Sequence, residues 1–198
     1  GGSNSIEKAT GALPILNTTN GGNTATVGVR TDAFSSYLTL AVPLIGDAAD
    51  VSNQINSGSA TKSATVSGNA AASSDQSNFY GGSFDFDGSG DYISYGTSSE
   101  MDFGSGDCTV ECWLYIDSHA GDKTIVGSWE GNISWQLSCG TTGDSNRFSF
   151  MMYNGSTTSA NSEELSTDYV DKWVHLAGVR NGNELQIWVN GKKDGTAS

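Results

Sequence analysis

Residues 84–117, FDFDGSGDYISYGTSSEMDFGSGDCTVECWLYID, allow few folds. Phe84 and Phe86 alternate with Asp85 and Asp87, Gly88-Ser89-Gly90 breaks the pattern, and Tyr92-Ile93-Ser94-Tyr95 follows. Successive side chains of a strand point to opposite faces, so period-two alternation broken by glycine reads as a β-hairpin. Thr97-Ser98-Ser99-Glu100 offers a helix cap before a short turn near Phe103. Then Val110, Cys112, Leu114 and Ile116 alternate with Thr109, Glu111, Trp113 and Tyr115, which is strand again.

The same signals recur downstream. Residues 123–130 read as a strand, and Ile133, Trp135, Leu137 and Cys139 share one face of the next. Phe148, Phe150 and Met152 share a face of another. Residues 173–180, WVHLAGVR, are apolar on both faces, as in a central strand, with His175 expected in the core. Leu185, Ile187 and Val189 fill the last clear strand, closed by Asn190-Gly191. Trp113 and Trp188 face away from the apolar neighbours of their strands and are expected on an outer surface. Upstream, residues 38–44 read as a strand that Pro43 confines to an edge or an end, and residues 62–67 as a weaker one. Many short strands at regular spacing imply an all-β, two-sheet antiparallel sandwich over residues 38–198. Composition agrees: 26 glycines and 2 prolines in 198 residues suit tight turns.

Residues 1–37 are different, with few large apolar side chains and no sustained period. One reading is a flexible tail. The other is an extended docking arm, with Leu13, Pro14, Ile15 and Leu16 as an apolar plug and residues 26–29 adding a strand to a partner. The chain opens on Gly1 without a basic-apolar leader, as expected of a processed or incomplete sequence.

The net charge of −13, with 9 Lys plus Arg, repels phosphate backbones and argues against a nucleic-acid partner. No apolar run is long enough for a bilayer, so no membrane insertion is expected. Cys108 and Cys112 lie four apart on one strand, about 13 Å, too far to bridge. Cys139 could reach either across the sandwich, but three free thiols are expected. No Cys or His pair has zinc spacing. Asp85, Asp87, Ser89, Gly90 and Asp91 copy the first half of a calcium loop, but Gly96 stands where the closing glutamate belongs, and a hairpin turn explains the same residues.

FDGSGDYI, CTVECWLYI, WVHLAGVR and ELQIWVNGK resemble successive strands of laminin-G-like, concanavalin-A-like jelly rolls. GALPILNTT and RTD followed by LTLAVPL are similar, more loosely, to surface proteins of marine tailed phages, including tail-fibre and capsid-decoration proteins. These resemblances imply a non-catalytic structural protein on a virion surface, held to other subunits by its arm in a homo-oligomer. The alternatives are an adhesin module for host glycan and a glycan-active hydrolase. Glucanases of this fold pair carboxylates as Glu-x-Asp-x-x-Glu on one strand, about 5–5.5 Å apart for a retaining mechanism. No such triplet occurs; Glu163 and Glu164 are adjacent and would point opposite ways. The resemblance places sugar stacking on exposed aromatics beside polar loops, which selects Trp129, Tyr153 and Asn154. It also implies a calcium rim, for which Asp107 and Asp122 join Asp85, Asp87 and Asp91. Cys108 departs from the family's usual aromatic. The family also ends on another strand or two, of the form Gly-Tyr-Ile-Asp-Asp, which a longer chain or a neighbouring chain would supply.

Overall fold

A computed structural model describes residues 4–7, 15–18, 34–56, 59–119, 121–128, 134–141 and 144–198. The chain divides into two compact units, Gly1–Thr97 and Ser98–Ser198. Each has its own way of satisfying its backbone.

In the first unit, β1 (Asn4–Glu7) pairs antiparallel with β2 (Ile15–Thr18). Ile15 and Leu16 of the expected plug therefore sit in a strand, while Leu13, Pro14 and residues 26–29 lie outside the described residues. Further on come β3 (Thr65–Ser67), β4 (Ala71–Ser73), β5 (Ser83–Asp85) and β6 (Tyr92–Ser94). The strands expected at 84–86 and 92–95 form, but not as a hairpin with each other. β5 pairs with β4, and β6 with β3, so residues 65–73 run opposite 83–94 as one interrupted ribbon. Asp91 explains the interruption. Its carboxylate accepts the amides of Asp87 (2.9 Å) and Asn69 (2.8 Å), which gathers residues 87–91 into a loop and ties it to the other side of the ribbon. Gly68, at φ +73°, leaves room for it: a Cβ there would stand 2.0 Å from Asp91 Oδ1.

Residues 38–44 join no ladder among the described residues, contrary to the strand expected there, and Leu44 ends them at a left-handed φ of 53°. Side chains take the place of a partner strand. Asp50 Oδ1 accepts the Ala41 amide, Asn56 Nδ2 donates to the Leu38 carbonyl, and Lys62 Nζ donates to the Thr39 carbonyl. Asp50, Ser52, Ser59 and Lys62 are all buried, and their hydrogen bonds form one network. Burial favours the neutral form of Asp50, but the amides of Lys62, Ser52 and Ala41 and the Ser52 hydroxyl outweigh it and hold its pKa below the ordinary value. A carboxyl whose folded pKa is depressed adds stability above its unfolded pKa and loses it as pH falls through the folded one. Hydrogen exchange should therefore show residues 38–62 losing protection below about pH 4, ahead of residues 173–189. Asp50→Asn should cause the same loss at neutral pH.

The second unit is the antiparallel sandwich. Its strands are β7 (Cys108–Tyr115), β8 (Lys123–Ser128), β9 (Ser134–Thr141), β10 (Asp144–Tyr153), β11 (Thr157–Leu165), β12 (Trp173–Asn181), β13 (Glu184–Val189) and β14 (Lys192–Ala197). One sheet has the order β11-β10-β9-β8, the other β14-β13-β12-β7. Ser98 caps the 3-10 turn Ser99–Met101, as its sequence predicted. Between the sheets lie Trp135, Leu137 and Cys139 of β9, Phe148, Phe150 and Met152 of β10, Val174 and Leu176 of β12, and Leu185, Ile187 and Val189 of β13. For β9, β10 and β13 these are the inward sets that period-two alternation assigned; β12, read as apolar on both faces, keeps only Val174 and Leu176 inward of its large side chains. Ile133 lies outside the described residues. Trp135 is held in place by its Nε1 donating to the Met101 carbonyl (2.8 Å) and by the Phe103 ring, 5.2 Å away. The three cysteines are free thiols. Burial pushes Cys112 and Cys139 up to about 12 and Cys108 up to about 11, which makes them poor nucleophiles at neutral pH.

Candidate functional site: the outer aromatic face of the second sheet

On β12, Val174 and Leu176 point into the core at 0% exposure, so Trp173 and His175 must point out. The register sets Trp173 opposite Tyr115 and His175 opposite Trp113 of β7, and Ala177 opposite Glu111 on one side and Trp188 of β13 on the other. Five large rings thus share one face. Tyr115 meets Trp173 edge-on at 5.6 Å, and Trp113 lies against His175 at 5.2 Å with the planes 55° apart. His175 is therefore not the core histidine expected from its apolar strand. Its Nε2 stands 3.6 Å from the Glu111 carboxylate, on the solvent side of the sheet.

Hydrogen bonds fix the polar edge of this face. Asn190-Gly191 turns β13 into β14 with φ of 49° and 77°, both left-handed. Asn190 donates its amide N–H to the His175 carbonyl (2.8 Å), and its Oδ1 accepts the His175 amide (3.0 Å). Its Nδ2 donates to the Tyr169 hydroxyl, which in turn donates to Glu164 Oε2. Burial, and behind it the Glu164 carboxylate, push Tyr169 up to about 12, so it stays a neutral donor. On the neighbouring strand, Trp188 Nε1 donates to Gln186 Oε1 (2.9 Å) and Gln186 Nε2 to Glu184 Oε1 (2.6 Å).

Trp113, His175, Asn190 and Gly191 line a shallow depression of about 350 Å³. Trp113 is 46% exposed, a large apolar side chain left in solvent beside oriented amide groups. An apolar floor with a few convergent polar groups is the usual make-up of a small-molecule subsite. Parity along β7 and β13 had turned Trp113 and Trp188 outward; the same rule applied to Val174 and Leu176 would have turned out His175.

The other predicted sites are elsewhere. Trp129 lies outside the described residues. Tyr153, half-buried, ends β10 opposite Ser134 and Thr157, and exposed Asn154 follows it in the turn to β11; both belong to the opposite sheet. Of the acidic candidates, Asp91 binds backbone amides, with the Asp87 N–H foremost in lowering its pKa. Asp87 Oδ1 accepts the Ser89 amide, and Asp107 Oδ1 accepts the Gly182 amide at 2.7 Å. Asp85 and Asp122 are exposed. Among the described residues, no three His, Cys, Asp or Glu come together as a metal cage. His119, in the loop after β7, meets Ser166: its Nε2 stands 2.8 Å from the hydroxyl. Ser166 is 0% exposed, which suits a positioning bond and not a nucleophile.

No curated protein matches the chain. The family model Laminin_G_3, described as Concanavalin A-like lectin/glucanases superfamily, matches residues 87–198. That match spans more than half of the 198 residues and takes in every strand of the sandwich. The chain belongs to the concanavalin A-like lectin/glucanases superfamily, in its laminin-G-like branch.

Proposed function

We propose that the sandwich is a non-catalytic carbohydrate-binding module that takes a sugar ring against Trp113. The observation that carries this reading is the exposed indole beside His175 and the Asn190-Gly191 turn. A pyranose has an apolar C–H face and a polar rim, and an aromatic plane with flanking amides matches both. Membership of a family of lectins and glucanases supports it. Glu111 is one carboxylate beside the depression, 3.6 Å from His175 Nε2, and the described lining residues add no second to make the acid pair that glycoside hydrolysis needs. The chain should be retarded in affinity electrophoresis through at least one neutral polysaccharide gel, without release of reducing ends. Unretarded migration across a panel of plant, algal and bacterial polysaccharides would reject the reading, and release of reducing ends would replace it with a hydrolase.

A second reading has its own support. Tyr37, Ile45, Val66, Phe86 and Tyr92 of the first unit are exposed, at 38–77%. Exposed apolar side chains that gather into one contiguous patch are a mark of surfaces that assemble. A decoration or fibre subunit on a virus particle, anchored through residues 1–97 and displaying the sandwich, is the assembly that the phage-like sequence of residues 11–44 favours.

A further inference from the structure

Asparagine followed by glycine is the sequence in which the backbone most readily attacks a side chain. The glycine amide nitrogen can close on the asparagine Cγ because no Cβ stands in its way. The chain has four such pairs: Asn20-Gly21, Asn154-Gly155, Asn181-Gly182 and Asn190-Gly191. The first lies outside the described residues. The other three are exposed, at the ends of β10, β12 and β13. Sterics do not separate them. Gly155, Gly182 and Gly191 have left-handed φ of 99°, 60° and 77°, and a Cβ on any of them would meet nothing within 4 Å. Hydrogen bonds do separate them. Gly182 donates its N–H to Asp107 Oδ1 at 2.7 Å, and the carboxylate opposes loss of the proton that attack requires. Asn190 has its side chain fixed at both ends, with Oδ1 accepting the His175 amide at 3.0 Å and Nδ2 donating to the Tyr169 hydroxyl at 3.4 Å. Its Cγ can turn to the Gly191 nitrogen only when those bonds break. Asn154 has neither restraint. Its bond among the described residues runs from its backbone N–H to the Ser156 carbonyl (3.3 Å), which leaves its side-chain amide to solvent.

We propose that Asn154 is a site of spontaneous deamidation, and that Asp107 and Tyr169 shield Asn181 and Asn190 from the same reaction. The Gly155 amide nitrogen, its proton passed to hydroxide, attacks Asn154 Cγ. The Cγ–Nδ2 bond breaks and ammonia leaves, which closes a five-membered succinimide. Water adds to either ring carbonyl and opens the ring to aspartate or isoaspartate, with no change of oxidation state. Each product adds a negative charge to an already acidic chain. Isoaspartate also lengthens the backbone by a methylene, in the turn that sets Tyr153 opposite Thr157. The shielding falls where the pairing has most to lose. Asn181 closes the register of β12 on β13, and Asn190 joins β13 to β14, so an extra methylene at either would shift the sheet that carries Trp113 and His175. The proposal does not rest on the sugar reading.

The 198-residue chain, held folded at mildly alkaline pH and gentle warmth, should form isoaspartate at Asn154 about 10-fold faster than at Asn181 or Asn190. Peptide mass mapping, with isoaspartyl methyltransferase labelling of the separated peptides, reads each site by itself. In urea, which removes the turns, the three sites should react at similar rates. Asp107→Ala should speed the reaction at Asn181 and Tyr169→Phe that at Asn190, each leaving Asn154 as it was. If either variant fails to fold, the ratio of folded to urea rates at each site in the wild type still decides. A folded chain in which Asn154 reacts no faster than Asn181 and Asn190 overturns the proposal. Variants that fold and leave both residues as slow as in the wild type overturn the shielding by Asp107 and Tyr169.

Discussion

Trp113→Ala weakens saccharide binding by about 30-fold or more, while Tyr153→Ala changes it by less than about 3-fold. The first figure is the cost of removing a central aromatic contact, about 2 kcal/mol. Trp113 is 46% exposed and its neighbours are an outward His175 and a turn, so its loss leaves the core between the sheets untouched. The melting midpoint should move little, which separates a binding defect from a folding one. Trp113→Phe keeps an apolar plane of smaller area and should retain part of the affinity. Tyr153 lies on the opposite sheet and serves as the control. Isothermal titration against the polysaccharide fragment that best retards the chain decides the matter. Equal affinities for wild type and Trp113→Ala would move the site off this face, and a large loss in Tyr153→Ala would move it to the turn after β10.

How far the sequence discloses these features depends on which partner satisfies the backbone. β9, β10 and β13 announce themselves because their inward residues are large and apolar, and period two is then visible along the chain. β11 does not. Its inward residues are Ala160 and Ser162, and Ser162 is accommodated because its hydroxyl accepts the Phe148 amide and donates to the Glu164 carbonyl. A small polar residue that bonds locally leaves no hydrophobic period to read. Residues 38–44 show the converse. Their apolar run looks like a strand, but their backbone groups are taken by Asp50, Asn56 and Lys62, up to 23 positions away. Only the folded chain brings those together. The hairpin error has the same origin, since Asp91 reaches back to Asn69. Parity turned Trp113 and Trp188 to the outer face of their sheet, where the register has them, whereas proximity to polar loops selected Tyr153 and Asn154, which belong to the opposite sheet.

Gly178→Ala tests the packing that carries the aromatic face. The effect should be large for one methyl group. Gly178 lies on the inward side of β12, and a Cβ built there would stand 2.3 Å from Cγ and Cδ2 of Phe150. Those are ring atoms near the fixed end of a side chain at 0% exposure, between Leu137 and Ala160 in the register of its sheet. The ring has no space to turn into, so the two sheets must separate locally. Overpacking of this kind costs about 1–3 kcal/mol, and the rigidity of the obstacle places this case at the upper end. For a unit of this size that lowers the melting midpoint by about 10 °C or more. Phe150→Ala alone should cost about 3–5 kcal/mol through the cavity it leaves. In Gly178→Ala/Phe150→Ala the new methyl occupies part of that cavity. The double variant should therefore be more stable than the sum of the single changes predicts, by a coupling of about 1–3 kcal/mol. Urea melts of the four proteins measure that coupling directly. Additive losses, or a Gly178→Ala variant within about 0.5 kcal/mol of wild type, would mean that β12 and β10 do not face each other at this distance. The inward–outward assignment that turns His175 and Trp113 toward solvent would then lose its anchor.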